Sequence, residues 1–360
     1  MKDSKSRVAE LLGRAEQSVL SDTARQLYRD KTVLVTGGGG SIGSELVRIL
    51  ATLSPRKIIV FDIYENNAYD LSMELSHHYG SSLDIVVEIG SVRDRSRLEE
   101  VFSEYKPEIV FHAAAHKHVP LMEHNPCEAI KNNIFGTYNT ADMAEKYCTE
   151  KFVLISTDKA VNPTGIMGAT KRICEHIISC RFDSKTSFCS VRFGNVLGSS
   201  GSVVPLFMRQ ISAGGPVTLT DKRIVRYFMS IREAAELLLE TGAMADRGEI
   251  FVLDMGDPVR IFDLAEAMIK KYAKPDEAIE IIEIGLRPGE KLYEELLVNP
   301  KKLSKTSSSK IFIEKEISKS RTEMETMINV LWGFIVNDCK NTKKTEIKKM
   351  MKAIIPEYIQ

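Results

Sequence analysis

Two short stretches of this sequence bring together residue types that can do chemistry. The first is Ser156-Thr157-Asp158-Lys159, where a hydroxyl, a carboxylate and an amine follow an apolar run at 151–156 (KFVLIS). A carboxylate and an amine held side by side over a bound ligand exchange protons when burial brings their pKa values together. The competing reading is a solvated ion pair at a strand end, worth about 0–1 kcal/mol. Downstream, Met167 and Lys171 are four residues apart, so on a helix they share one face.

The second stretch is Thr36-Gly37-Gly38-Gly39-Gly40-Ser41-Ile42-Gly43, which follows the apolar run TVLVT and opens a segment of helical period. Gly37 permits a tight turn, Gly40 lets a pyrophosphate approach the backbone, and Gly43 lets helix and strand pack closely. The helix N-terminus then faces the phosphate charge. Asp62 ends the next apolar run, 19 residues after Gly43. A carboxylate there accepts from adenosine ribose hydroxyls and repels a 2′-phosphate. Ile63-Tyr64-Glu65 adds no basic residue. The expected cofactor is therefore NAD, not NADP.

The elements that must position these groups are visible as alternation. Apolar, β-branched runs occur at 32–36, 57–61, 84–89, 109–113, 151–156, 188–193 and 250–254, with stretches of helical period between them, such as 41–53, 66–79 and 126–148. Strands apolar on both faces, alternating with helices, imply an α/β fold with a doubly wound parallel sheet of Rossmann type. Strand five should end at Thr157, on the carboxyl edge where such sheets bind ligands. The expected division is a helical lead-in at 1–30, a dinucleotide-binding domain at 31–195, and a smaller substrate-binding lobe with returning sheet strands at 196–300. A linker and C-terminal helical cap should follow at 301–360, with polar residues 301–310 (KKLSKTSSSK) expected to be mobile.

Composition excludes several classes. Lys and Arg number 49 against 49 Asp and Glu, so nothing favours a nucleic acid as partner. The six cysteines form no CxxC pair and read as reduced thiols. No apolar run approaches a membrane span, and the polar start (MKDSKSR) lacks the apolar core of a secretory signal, so a soluble cytoplasmic protein is expected. His116-Lys117-His118 offers two imidazoles without further ligands at suitable spacing, and Cys174, His176 and Cys180 do not share one helix face; no metal site is expected.

With these motifs in view, the chain resembles the extended short-chain dehydrogenases/reductases: the glycine pattern, Ala113-Ala114-Ala115, Asn133 before Gly136-Thr137, and the spacing around Lys171 all match. More narrowly, STDKAVNPT…MGATK, AAAHKHVPLMEHNP, RFGNVLGSSGSVVPLF, RYFMS and GLRPGEKLYEEL resemble the nucleotide-sugar 4,6-dehydratases, among which UDP-N-acetylglucosamine 4,6-dehydratase is the best-known activity. The resemblance spans roughly residues 10–300. The superfamily's usual YxxxK tyrosine is here Met167, as in the long, membrane-anchored branch of these dehydratases, whose catalytic domain follows a segment like Leu11-Leu12-Gly13-Arg14. The chain thus resembles that catalytic domain without its anchor. Gly90-Ser91 stands where many relatives carry an Asp beside the adenine.

The resemblance implies oxidation at sugar C-4 by hydride transfer to NAD, loss of water across C-5 and C-6, and return of the hydride to C-6. It assigns Thr157 to the C-4 oxygen, Asp158 to proton transfer at the C-4 hydroxyl or C-6 leaving group, Lys159 to the C-5 proton and Lys171 to the nicotinamide ribose. Met167 is a packing residue lining the site. Thr36, Gly37, Gly40, Ser41, Ile42, Gly43, Asp62, Ser91, Val92, Ala113, Ala114, Ala115, Asn133 and Lys171 are the expected cofactor contacts. Lys117, Asn195, Val204, Pro205, Arg209, Arg226, Arg287 and Glu290 are the expected contacts to a UDP-sugar. Arginine suits phosphate because its planar fork bonds bidentately. The resemblance further implies retention at C-5, through Met167, and self-association through helices flanking the sheet. Two competing functions stand beside this one: an epimerase or net oxidoreductase on the same substrates, and a non-catalytic NAD- or sugar-nucleotide-binding protein. Loss of the tyrosine argues against an ordinary epimerase, and the intact Thr157, Asp158, Lys159 and Lys171 argue against decay.

Overall fold

A computed structural model describes residues 18–297, 303–314, 319–337 and 342–359; the Leu11-Leu12-Gly13-Arg14 motif lies outside them. Six parallel strands follow the expected runs closely: β1 (Thr32–Thr36), β2 (Lys57–Asp62), β3 (Ile85–Ile89), β4 (Ile109–His112), β5 (Lys151–Ile155) and β6 (Ser187–Arg192). With Glu249–Leu253 parallel to β6, they form a sheet ordered β3-β2-β1-β4-β5-β6-(Glu249–Leu253). The order reverses between β1 and β4, which creates a crevice at their carboxyl ends.

Both faces of the sheet are covered. Val33, Val35, Ile58, Val60, Phe111 and Val153 pack to one side with Leu46, Leu50, Leu238 and Tyr28. Leu34, Ile59, Val110, Phe152 and Leu154 pack to the other with Leu98, Phe102, Ala144 and Ile178. Alternate residues of one strand thus enter opposite apolar layers, and this produces the near-continuous apolar runs of the sequence.

Two further strands join the sheet antiparallel to the rest, or to each other: Ile311–Glu314 pairs with Glu249–Leu253, and Leu303–Lys305 pairs with Ile311–Glu314. Residues 303–310, expected to be mobile, are therefore an edge strand and its turn. Thr306 Oγ1 donates to Ile311 O and accepts from Ser308 N, so the serine- and threonine-rich composition serves the turn's hydrogen bonds. The C-terminal helices Arg321–Asn337 and Lys344–Ile354 supply Met324, Ile328, Leu331, Ile347 and Met351 to a separate apolar cluster built on helix Ile166–Ser179. The smaller lobe, centred on Phe207, Val217, Leu219, Ile224, Leu264 and Met268, has its own core.

Cys148, Cys174, Cys180 and Cys189 are free thiols. Cys127 is disulfide-bonded, which corrects the expectation of a fully reduced set; pairing depends on closeness in the fold, which spacing in the sequence does not report. Among the described residues no helix is long and apolar enough to cross a membrane.

Candidate active site

The crevice beside β1 is lined by Gly37, Gly39, Gly40, Asp62, Asn67, Ser91, Val92, Ala113, Ala114, Ala115, His116 and Asn132. Gly37 has φ +66°, and a Cβ there would stand 2.7 Å from Ala114 N. A Cβ on Gly43 would meet Gly37 O at 2.2 Å, so the helix can approach the strand only with glycine at that position. Gly40 caps helix Ser41–Ala51 without a side-chain hydrogen bond, which leaves first-turn amides to face an anion. Asp62 Oδ2 accepts from Gly39 N at 2.8 Å and Oδ1 from Tyr64 N at 2.9 Å, fixing the carboxylate on the wall with lone pairs to spare. The glycine cradle, the uncapped helix and the fixed carboxylate together fit a dinucleotide.

Several expected cofactor contacts serve this cradle indirectly. Thr36 is fully buried, its Oγ1 2.8 Å from His112 Nδ1; His112 Nε2 lies 3.1 Å from Thr137 Oγ1. Burial, and then the neighbouring Lys171 charge, push the His112 pKa down to about 3, so the imidazole is a neutral member of this network. Ser41 Oγ accepts from Ser200 N, linking the two lobes, and Ile42 packs against the main core. Asn133 is not on the wall. Its Oδ1 accepts from His116 N, and its Nδ2 donates to His116 O and Thr170 Oγ1, clamping the loop after β4 onto the next helix. The π-helical turn Ile130–Phe135 turns Asn133 inward, and its neighbour Asn132 reaches the crevice. Lys171, 4% exposed, donates to Ile155 O at 2.7 Å and lines neither cavity. Burial lowers its pKa, with Cys174 and Glu175 opposing.

The segment after Ala115 continues into a second cavity. His118, Val119 and Pro120 line it together with Lys117, Lys159, Gly168, Asn195, Leu206, Phe207, Arg226, Arg287, Glu290 and Glu294, among others. Burial lowers the pKa of Lys117. One loop therefore borders both cavities, as expected if a cofactor and a substrate meet there.

Lys159 sits on this second wall, its side chain 24% exposed. Its Nζ lies 3.0 Å from Asp158 Oδ1 and 3.4 Å from Glu294 Oε1. Burial works against the ammonium, yet the Asp158 and Glu294 carboxylates outweigh it and hold the Lys159 pKa above the ordinary lysine value. Asp158 is fully buried and does not reach the wall. Thr157 Oγ1 donates to Asp158 Oδ1 at 2.8 Å and accepts from Lys159 N. The expected acid/base pair thus presents only its amine to the cavity.

The structure also places Met167 differently from the reading above. It is 3% exposed, joins the apolar cluster beneath the C-terminal helices, and lines neither cavity. Its helix begins at Ile166, whose N–H donates to Glu123 Oε1; a carboxylate at a helix N-terminus is favoured by the dipole. Gly168 lies on the wall directly behind Lys159, and nothing in the pattern MGATK marks it as special.

In the smaller lobe Val203, Leu206 and Phe207 face the cavity, whereas Val204 packs into the lobe's core. Pro205 is off the wall, and Arg209 is exposed on the last turn of helix Val203–Ser212, away from it. The lining residues Val203, Leu206 and Phe207 follow the i, i+3, i+4 spacing of one helix face, and Pro205 and Arg209 fall outside it. Arg226 donates to the carbonyls of Val225, Leu292 and Lys291, and pairs with Glu294 at 3.6 Å, so most of its fork is used in holding the 290–294 segment. Glu290 accepts from Thr220 Oγ1 and Arg287 N, closing the Arg287–Glu290 turn. Among the described residues the Arg287 guanidinium has no ion pair. It is exposed on the wall, as Lys117 is on the facing loop.

Two features went unread in the sequence. Glu294 is one. The other is a buried ionic cluster beneath Ser156: Arg192 donates bidentately to Glu175 at 2.7 Å and 2.7 Å, Arg192 Nη1 pairs with Glu314, and Ser156 Oγ donates to Glu175. It joins β5, β6, the Ile166–Ser179 helix and the antiparallel strand under the site.

Comparisons with known proteins agree with this geometry. A family model described as "Polysaccharide biosynthesis protein" matches residues 33–316. The capsular polysaccharide biosynthesis protein CapD of Staphylococcus aureus is 50% identical over 326 residues, covering 90% of this chain and 54% of that protein. A UDP-N-acetylglucosamine 4,6-dehydratase (inverting) of Campylobacter jejuni subsp. jejuni is 35% identical over 274 residues, covering 74% of this chain and 78% of that one. The X-ray structure of Pen from Bacillus thuringiensis superposes with a TM-score of 0.75 at 37% identity, covering 82% of this chain and 92% of that chain. The chain spans about half the length of the first curated relatives it matches.

Proposed function

Since the chain belongs to the polysaccharide biosynthesis protein family, with an extended short-chain dehydrogenase/reductase fold, we propose that it is an NAD-dependent nucleotide-sugar 4,6-dehydratase acting on a UDP-N-acetylhexosamine, UDP-N-acetylglucosamine first among them. The observation that carries this reading is Lys159: an amine on the wall of the second cavity, braced by two carboxylates, on the loop after β5 at the sheet's carboxyl edge. The 35%-identical dehydratase supports the choice of substrate.

NAD, when bound, supplies a hydride acceptor and donor that is restored in each turnover. Gly37, Gly40 and the first-turn amides of helix Ser41–Ala51 would hold its pyrophosphate, and Asp62 its adenosine ribose. Lys159 moves the C-5 proton, because it presents the one acid/base group of the Asp158-Lys159 pair to the cavity. Asp158 acts from beneath, holding the amine and receiving the Thr157 hydroxyl. Arg287 faces the diphosphate. Leu206 and Phe207 exclude water from the nucleotide end. Retention at C-5 is part of this reading: Lys159 is the one acid/base group that the pair presents to the cavity, so the proton leaves and returns on one face.

Mass measurement after incubation with UDP-N-acetylglucosamine tests the reading. Loss of one water supports a dehydratase; unchanged mass with altered stereochemistry would instead identify an epimerase, and no change a binding protein. Lys159→Ala should lower turnover by about 10²–10⁴-fold while leaving NAD bound.

A further inference from the structure

Glu294 lies far along the chain from Lys159, in the segment that follows the Arg287–Glu290 turn. That segment is tied on both sides of it: before it, Tyr293 bridges Val225, Arg226 holds the carbonyls of Lys291 and Leu292, and Lys291 Nζ donates to Val161 O at 2.8 Å; after it, Glu295 Oε2 accepts from Asn162 Nδ2 at 2.9 Å. The Glu294 side chain is 2% exposed. Its Oε1 stands 3.4 Å from Lys159 Nζ and 3.6 Å from Arg226 Nε, and its buried Oε2 has no hydrogen-bond partner among the described residues. A carboxylate oxygen buried without a partner is costly, so it signals a group placed for more than packing.

We propose that Glu294 is the proton partner of Lys159: a positioning carboxylate that fixes the amine on the cavity wall and takes its proton so that the amine can act as a base. The proposal rests on the dehydratase reading for its chemistry, and on geometry alone for the pairing.

The groups facing Lys159 are Asp158, Glu294, Arg226 and, across the cavity edge, Lys291. Between two carboxylates the resting form is the ammonium, which cannot accept the C-5 proton. Each carboxylate keeps one buried oxygen without a hydrogen-bond partner, Asp158 Oδ2 and Glu294 Oε2, but Asp158 Oδ1 already receives the Thr157 hydroxyl and of the two only Glu294 reaches the wall. Moving one proton from Nζ to Glu294 breaks an N–H bond and forms an O–H bond. It turns an ammonium–carboxylate pair into an amine–acid pair with no change in total charge, and Asp158 stays ionised beside the amine with the Thr157 hydroxyl donating to it. The amine then takes the C-5 proton, the C–H electron pair becomes the C-5–C-6 double bond, and the C-6–O bond breaks. The proton from C-5 leaves with that oxygen as water. The proton held by Glu294 returns to Nζ, which gives it to C-5 as the hydride returns to C-6; the proton that the C-4 hydroxyl released on oxidation restores the ammonium–carboxylate pair.

The test is the titration of Lys159 Nζ by NMR of ¹⁵N-lysine-labelled protein without substrate, its signal identified by Lys159→Arg. Glu294→Gln removes a negative neighbour and should lower the Nζ pKa by about one unit; Glu294→Asp keeps the charge and should restore part of the shift. With UDP-N-acetylglucosamine, Glu294→Gln should lower kcat at least roughly tenfold with KM within about twofold, and move the rising limb of the kcat–pH profile to lower pH. An unchanged Nζ titration in both folded variants overturns the proposal. If the wild type removes no water, the dehydratase reading fails by itself, and the titration still decides whether Glu294 governs the amine.

Discussion

A Cβ on Gly168 would stand 2.1 Å from the carbonyl oxygen of Lys159. Helix Ile166–Ser179 can therefore press against the acid/base loop only because this position carries no side chain. Gly168→Ala forces the loop and the helix apart and should cost about 1–3 kcal/mol of stability. The sharper expectation is kinetic: kcat drops at least roughly tenfold, because a displacement near 1 Å at a reacting group is that damaging. NAD affinity should stay put. Calorimetric melting and steady-state rates check both, and a variant with native kcat would show that the close contact does not position Lys159.

Asp62 is fixed by two backbone amides and faces the crevice. Asp62→Ala removes a charged acceptor for ribose hydroxyls worth about 1.5–3 kcal/mol, so NAD should bind roughly tenfold to a hundredfold more weakly. The preference over NADP should shrink as the repulsion disappears. Titration calorimetry with both cofactors decides it; equal NAD affinity in variant and parent would remove Asp62 from the site.

Asp158 is buried behind Lys159 and off the cavity wall. Asp158→Asn keeps the shape but removes a negative neighbour of the ammonium. The kcat–pH limb should move to lower pH and kcat should fall, with KM for the nucleotide sugar unchanged. A large rise in KM would mean instead that Asp158 touches the substrate.

Burial works against the Glu175 carboxylate, but Arg192 and Arg172 outweigh it and bring the pKa down to about 2 from an ordinary 4.5. A depressed carboxyl adds stability that is full above its unfolded-state value. That stability fades as pH falls from there towards about 2. Arg192→Met takes the bidentate partner from Glu175 and the Nη1 partner from Glu314, and should cost about 3–5 kcal/mol at neutral pH. Urea unfolding at neutral and acid pH checks the pair; a cost near zero would show that Glu175 is held by other partners.

Much of the fold was legible because its signals are local. β1 runs Thr32–Thr36 as the apolar run does, and the turn at Gly37 is read from residues adjacent in the chain. The dinucleotide cradle was legible for the same reason: glycines, helix start and Asp62 lie within one βαβ unit. The substrate side was less so. Asn133 and its neighbour Asn132 differ by one position, and a single π-helical turn decides which side chain enters the crevice. On helix Val203–Ser212, apolar residues on several faces left the rotation open, and Arg209 ended outside. The strand at 303–305 was missed because an edge strand needs only hydrogen bonds from its neighbour, not an apolar pattern of its own, and the one at 311–314, which pairs on both sides, because its four residues are a short run.

The sequence by itself determined the alternation of strand and helix, the glycine cradle with its carboxylate, and the adjacency of Asp158 and Lys159, since each depends on neighbours along the chain. Only the tertiary structure decided which member of that pair meets the cavity, and that its second carboxylate comes from Glu294. Both follow from how the lobe's last turn packs against the loop after β5. Such a contact is set by the burial of whole elements, and no spacing within the sequence encodes it.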